Sequence, residues 1–197
     1  ESPITPLTNA KGALRGKVYK VTLNGGMSCP NRDGTIGQAA AIFCSEGAAV
    51  IFAAKLQPSL SMKDRQSDCH AFRQKTYHKY IAYFQAYTNT YAPVPYLEKI
   101  FQEAISHPGI VALSIGTRPD CLEDDVVELL SRLNMVKPVW VELGLQTIHE
   151  STAAYISEVP SILFEDSLKR LRTAGLEVVV HTILGLPGES REDMLAT

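Results

Sequence analysis

Five short apolar runs, separated by stretches of helical periodicity, constrain this chain more than any other feature. Residues 18–23 (VYKVTL) alternate as a strand does and end at Gly25-Gly26. Residues 80–84 (YIAYF), rich in aromatic and branched side chains, predict a second strand. Residues 110–115 (IVALSI) are apolar almost throughout, as a strand buried on both faces should be. Residues 139–143 (VWVEL) and 176–184 (LEVVVHTIL) complete the set. After Pro93, residues Val94, Leu97, Ile100, Phe101 and Ile105 recur at three- and four-residue intervals and predict a helix. A further helix is expected over 123–133, with Asp120 as its cap and acidic residues in its first turn. Another over 164–174 is closed by Gly175.

Strands alternating with helices of this length form βαβ units, and such units build a parallel sheet. The motifs NGG, FQAYTNT, GTRPD, GLQT and GLPGE all follow the C-terminal ends of strands. Parallel α/β folds place their sites there. One active face built from five successive loops is therefore expected from the residue pattern alone.

Composition narrows the class. The 197 residues, 45% hydrophobic and 20% charged, suit one sizeable domain or two small ones and exclude disordered and collagen-like chains. No apolar run reaches the ~18 residues of a membrane span. The opening Glu1-Ser2-Pro3-Ile4 has no basic-then-apolar pattern of a signal peptide. Nineteen Lys and Arg against 21 Asp and Glu give a net charge of -2, which excludes a strongly basic nucleic-acid footprint overall. A local patch is still allowed. Lys63, Arg65, Arg73, Lys75 and Lys79, with His70 and His78, form either a solvated helix face or a phosphate contact. Cysteines 29, 44, 69 and 121 are too sparse for a disulfide framework, so a cytoplasmic setting is expected, the thiols reduced or metal-bound. No P-loop, G-x-G-x-x-G or G-x-S-x-G elbow occurs, so ordinary hydrolase and dehydrogenase readings are poor.

The segment Cys29-Pro30-Asn31-Arg32-Asp33-Gly34-Thr35-Ile36-Gly37 runs on to Phe43-Cys44-Ser45. Two cysteines in a glycine-bearing loop after the first strand suit thiolate ligation of a soft metal or cluster. Taken alone, the pair fits buried or unpaired cysteines better than a metal site.

Taken whole, the loop resembles that of radical S-adenosylmethionine (radical SAM) enzymes. More narrowly, it resembles a bacterial family near the Elp3-like branch, with the pattern GG-x-S-C-P-N-R-D-G-T-x-G-x-G-G-C-x-F-C. Segments 79–93 (KYIAYFQAYTNTYAP), 116–121 (GTRPDC), 140–147 (WVELGLQT) and 181–189 (HTILGLPGE) match as well. The resemblance implies an α/β fold, an incomplete parallel (β/α) barrel with about five βα units of six. Residues 1–197 would be the N-terminal part of one core domain, leaving the last strand as an open edge. It also implies reductive cleavage of SAM at a [4Fe–4S] cluster to give a 5′-deoxyadenosyl radical. An external electron donor such as flavodoxin or ferredoxin would be needed. The Elp3-like branch points to a tRNA wobble-uridine side chain as substrate.

The family's three cluster cysteines fall on Cys29, residue 41 and Cys44. Residue 41 is alanine, and Ala39 and Ala40 replace two glycines. Alanine cannot ligate iron. Ala48-Ala49-Val50-Ile51 stands where relatives carry a Gly-Ser-Gly-Asp-like loop, and Ser157-Glu158-Val159-Pro160 near their Asn-Arg-Gly. The chain is then a degenerate member, an engineered cluster-free variant, or locally misread. Two other functions stay open: a cluster-free scaffold binding SAM or RNA, and a mononuclear zinc site on Cys29, Cys44 and a histidine. Cys69 is a further candidate ligand.

By resemblance, Phe43 lies beside the adenine, and Gln85, Thr88 and Asn89 meet the amino and carboxylate groups of SAM. Thr117 and Arg118 follow, Arg118 being suited to a bidentate carboxylate pair. Gln146 sits at the fourth strand end. Ile183, Gly185 and Gly188 allow backbone against the adenine. Alternation makes Glu142 inward-facing with Trp140 and Gly144, in need of a partner, either the SAM ribose or Arg118. His181 is read as a core histidine and Cys121 as packing at a helix start. Each of these loop residues also has a plainer reading as turn polarity, helix capping or packing.

Overall fold

The structure, a computed structural model, describes residues 18–36, the backbone of 54–55, and residues 79–197. Strands β1 (Tyr19–Asn24), β2 (Ala54–Lys55), β3 (Tyr80–Phe84), β4 (Ile110–Thr117), β5 (Val139–Gln146) and β6 (Glu177–Thr182) form one sheet. Their order is β2-β1-β3-β4-β5-β6, and every described pairing is parallel. From β1 onward through β3, β4, β5 and β6, each step moves one place in the same direction, as in a barrel wall. The fold is thus a partial (β/α) barrel.

Helices α1 (Val94–Ser106), α2 (Asp124–Asn134) and α4 (Ser161–Thr173) connect successive strands. Pro93 and Pro95 start α1 where the missing N–H groups cost nothing. Its Leu97, Ile100, Phe101, Ala104 and Ile105 are buried, so the apolar stripe read from the sequence is the packed face. At the end of α4, Gly175 has φ 76°, and Leu176 and Gly175 donate to the Leu171 and Arg172 carbonyls at 3.0 Å each. That is a Schellman closure, and only glycine takes the left-handed turn without strain.

The sheet has two unlike faces. Val21, Leu23, Phe84, Leu113, Ile115, Val141 and Leu143 point toward the helices and join Leu97, Phe101, Leu129, Leu130 and Leu171 in the core. Phe84 and Phe101 meet edge to face with centroids 5.0 Å apart. The opposite face carries Ile81, Ala112 and Trp140 as a small apolar floor, and above it a polar layer.

Four differences from the sequence reading have physical causes. β2 is two residues long, too short for any periodicity to register. The short helix α3 (Glu150–Tyr155) buries only Thr152 and Ala153, so it carries no apolar stripe. Helix α5 (Arg191–Ala196) buries nothing, although its Ser190–Asp193 capping box was readable as S-x-x-D. Asp120 is not the cap of α2. Residues Pro119–Cys121 form a 3₁₀ turn, Glu123 occupies the cap position, and the Asp120 carboxylate turns to Arg118.

Phe101 has no exposed surface and anchors an edge-to-face pair with Phe84. Phe101→Ala should lower stability by about 3–5 kcal/mol, the range for deleting a buried aromatic ring. Urea unfolding of the two proteins measures the difference.

Candidate functional site

The loops at the C-terminal strand ends are tied to one another. After β1, the Cys29 carbonyl accepts from the Arg32 and Asp33 amides at 2.8 and 3.2 Å, curling the loop around the buried cysteine. The Ser28 carbonyl accepts from the Thr88 amide, joining this loop to the one after β3. Asn31 Nδ2 donates to the Ser157 carbonyl at 2.7 Å, joining it to the loop after α3. The Arg32 guanidinium lies over the Tyr87 ring at 4.8 Å.

After β3, Gln85 is exposed, whereas Thr88 and Asn89 are buried. Asn89 Nδ2 donates to the Gly116 carbonyl at 2.8 Å. Its Oδ1 is buried with no hydrogen-bond partner among the described residues. Glu189, in the loop after β6, leaves Oε2 in the same condition while Oε1 accepts from Thr147 at 2.5 Å. Buried acceptors are rarely left unpaired, so both loops have unmet demand for a donor. Thr117 shares its hydroxyl with Thr90 at 2.6 Å. Gln146 holds a left-handed backbone at φ 64°, accepts from the Ile183 amide, and lays its amide over Gly144, where a Cβ would come within 2.5 Å. Gly185 and Gly188 both take positive φ.

Arg118 is engaged within the protein. Its Nε and second terminal nitrogen donate to Asp120 at 2.9 and 3.0 Å, and its other nitrogen reaches Glu158 at 3.5 Å. Burial works against the Arg118 charge, yet these carboxylates more than offset it and hold it firmly protonated. Burial raises the Glu158 carboxyl above its ordinary value, and Arg118 opposes the rise. Cys121 is buried beside Asp120, and burial, then that negative charge, pushes its thiol well up. It remains a protonated packing group.

The inner face of the sheet centres on Glu142. Lys20 Nζ reaches Oε1 at 2.5 Å, Ser114 Oγ donates to the same oxygen, and His181 Nε2 lies 2.9 Å from Oε2. Lys20 Nζ also sits 4.0 Å over the Tyr83 ring. Register places all five side chains on one face: Tyr83 pairs with Ser114, Trp140 with Ser114, and Gly144 with His181. The inward reading of Glu142 therefore holds, but its partner is not Arg118. Arg118 is satisfied by Asp120 and Glu158, and Glu142 by Lys20, Ser114 and His181. His181 is not a core histidine: it stands on the outer strand with 47% of its side chain exposed. Burial alone would raise the Glu142 carboxyl, but donors from His181, Lys20 and Ser114 outweigh it and hold it at about 2. Tyr83 is pushed well up by burial and by the Glu142 charge.

Lys20, Tyr83, Ser114 and Glu158 escaped the sequence reading. Lys20 looked like the polar half of an alternating strand, and nothing in a loop flags Glu158. Phe43, Cys44, Ala41, Cys69 and the basic stretch over 63–78 lie outside the described residues. A cavity of about 500 Å³ lies between Thr90, Pro93, Asp120 and Val126. Neither Glu142 nor His181 lines it.

Residues 42–197 match the Radical SAM superfamily. The chain belongs to that superfamily. It is 43% identical to YtqA of Bacillus subtilis over 182 residues, covering 92% of this chain and 56% of that protein. It thus spans little more than half the length of this relative. A tRNA uridine(34) acetyltransferase of Methanocaldococcus jannaschii is 36% identical over 86 residues, 42% of this chain and 15% of that protein. Among solved structures, Elp3 of Methanocaldococcus infernus, N-terminally truncated, superposes with a TM-score of 0.57. That match covers 89% of this chain and 40% of Elp3 at 21% identity, so it speaks for the fold alone. No helix among the described residues is long and apolar enough to cross a membrane.

The family's two cofactors fit these residues unequally. SAM carries an ammonium donor, and the buried, unpartnered Asn89 Oδ1 is a fitting acceptor for it. A three-thiolate [4Fe–4S] site does not fit, because Ala41 stands at the middle ligand position.

Glu142 ties charge to stability. Its folded value of about 2 lies below the ordinary 4.5. Its contribution is therefore fully present above pH 4.5 and is lost as pH falls toward 2. Glu142→Gln should cost roughly 3 kcal/mol at neutral pH, the low end for a broken buried pair, since Lys20 keeps contact with solvent. The deficit relative to the parent should shrink steadily below pH 4.5 in urea titrations.

Proposed function

We propose that this domain binds SAM across the strand ends of the partial barrel and serves a radical SAM enzyme acting on a tRNA uridine. The observation that carries the SAM reading is the buried, unpartnered Asn89 Oδ1 at the rim. An ammonium there would supply the donor the site lacks. Gln85 and Thr88 flank it. Thr117 and Arg118 lie on the next loop, where Arg118 meets the carboxylate end if Glu158 gives way. Gln146, Ile183 and Gly185 support the adenosine half, with Phe43 beside the adenine. Glu142 has both oxygens occupied and turns to the hollow.

A reduced [4Fe–4S] cluster, were a third ligand to complete it, would supply the electron for reductive SAM cleavage. Cys29 and Cys44 are the ligands this chain would contribute, and flavodoxin or ferredoxin suits the donor role. The similarity to a tRNA uridine(34) acetyltransferase supports the choice of substrate. Residues 1–197 would form the N-terminal part of one core domain. A second reading, a cluster-free binder of SAM or RNA, is favoured by Ala41 alone.

Two measurements test these readings. Asn89→Ala should weaken SAM binding about tenfold in equilibrium dialysis, matching the loss of one hydrogen bond to a charged group. Unchanged binding would sink the placement of SAM. Iron and sulfide are then assayed after anaerobic reconstitution of the parent and of Ala41→Cys. About four of each in both proteins supports the enzyme with another residue as third ligand. About four only in the cysteine variant supports the cluster-free binder. Near zero in both removes the cluster from this chain.

A further inference from the structure

The loop after α3 is strained at the point where it grips the Cys29 loop. The Glu158 amide donates to the Ala153 carbonyl at 2.9 Å, and the Ser157 amide to the Ala154 carbonyl at 3.2 Å. This is a Schellman closure of α3 with Ser157 in the position that glycine usually fills. Ser157 has φ 62°, a left-handed conformation unfavourable for a residue with a Cβ. Such a conformation persists only where its surroundings over-determine it. Two contacts do so here. Asn31, itself buried, donates Nδ2 to the Ser157 carbonyl at 2.7 Å. Glu158, next along the chain, is held by Arg118 at 3.5 Å with 6% of its side chain exposed. Cys29 is 8% exposed and close enough to Arg118 for its charge to be felt there. The other side of the Cys29 loop is fixed separately, by the Thr88 amide on the Ser28 carbonyl.

We propose that Glu158 and Ser157 form a ligand-operated latch on Cys29. A carboxylate taken up by Arg118 displaces Glu158, Ser157 relaxes out of the left-handed region, and its carbonyl releases Asn31. The Asn31 end of the Cys29 loop then swings free and uncovers the thiol. Glu158 gives way before Asp120, because Asp120 holds Arg118 through two bonds at 2.9 and 3.0 Å and Glu158 through one at 3.5 Å. Both latch residues are positioning residues that act through Asn31. The latch gives the strain at Ser157 a use: a buried Cys29 has to open before a soft metal or any other thiol-seeking group reaches it. The choice of SAM as the source of the carboxylate rests on the proposed function. The latch itself needs neither SAM nor a cluster.

The test pulses the whole chain, reduced and metal-free, with iodoacetamide and reads modification at Cys29 by peptide mass spectrometry. Buried Cys121 serves as the internal control for unfolding. Without ligand, Glu158→Gln should speed modification of Cys29 about tenfold, the effect of losing one hydrogen bond to a charged group, and leave Cys121 slow. Adding Ser157→Gly, which takes the left-handed turn without strain, should bring that rate back to the parental one. Ser157→Gly alone should slow Cys29 below the parent, a readout that stands even if Glu158→Gln unfolds and exposes both thiols. SAM should speed modification of Cys29 in the parent. Decarboxylated SAM, which keeps the ammonium and the adenosine but has no carboxylate, should not. An unchanged Cys29 rate in folded Glu158→Gln, no effect of Ser157→Gly in either background, or SAM bound in dialysis with Cys29 unmoved would each overturn the latch. Variants that behave as stated while SAM neither binds nor acts support the latch and count against SAM as its ligand.

Discussion

A carboxylate taken out of water is costly unless donors replace its hydration. Glu142 is 3% exposed and yet fully ionised at neutral pH. Its donors come from β1, β4 and β6, and the ring that carries Lys20 comes from β3. In a flat sheet β1 and β5 lie three strand spacings apart, about 14 Å. Lys20 and Glu142 close to 2.5 Å because the sheet curls toward its inner face. The carboxylate and the curvature thus require each other. Without the curl Lys20 could not reach the carboxylate, and the carboxylate in turn ties β1 to the far strands.

That dependence explains why the two faces are built so differently. The helix-facing side is an ordinary apolar layer in which size and shape decide stability. The inner side is apolar only at its floor and polar in its middle. Toward the C-terminal rim, register brings Gly116 and Gly144 onto this face. Small residues at the rim leave room above the polar layer, and the Gln146 amide takes up part of it. A ligand entering from the strand ends would meet loop backbone first and the Lys20–Glu142–His181 layer beneath it.

The strands were legible because each runs through a core that selects apolar residues, and 110–115 and 139–143 are buried on both sides. The loops were legible as a set because parallel sheets deliver all of them to one rim. What escaped depends on contacts between residues far apart in sequence. Lys20 and Glu142 stand 122 positions apart, so no local pattern joins them. Asp120 misled for a related reason. An aspartate ahead of a helix reads as a cap, but Arg118 two residues earlier is a charged and nearer partner. His181 read as core because its strand is apolar. Yet β6 has a neighbour on only one side among the described residues, and five of its six residues are exposed.

The rim has a charge balance of its own. Arg118 brings one positive charge to Asp120 and Glu158, which bring two negative ones. A ligand carboxylate arriving at Arg118 would add a third and compete with a bidentate pair already in place. Of the two resident carboxylates, Glu158 is the weaker partner, at 3.5 Å against 2.9 Å. Burial also favours its neutral form. Protonation of Glu158 would leave the pair Arg118–Asp120 balanced, whereas loss of Asp120 would break both short bonds. The Ser157 carbonyl, next to Glu158, accepts from Asn31 two residues after Cys29. Any movement of Glu158 away from Arg118 is thereby felt at the cysteine loop. Ser157 and Glu158, neighbours in one loop, thus link the arginine to the Cys29 loop.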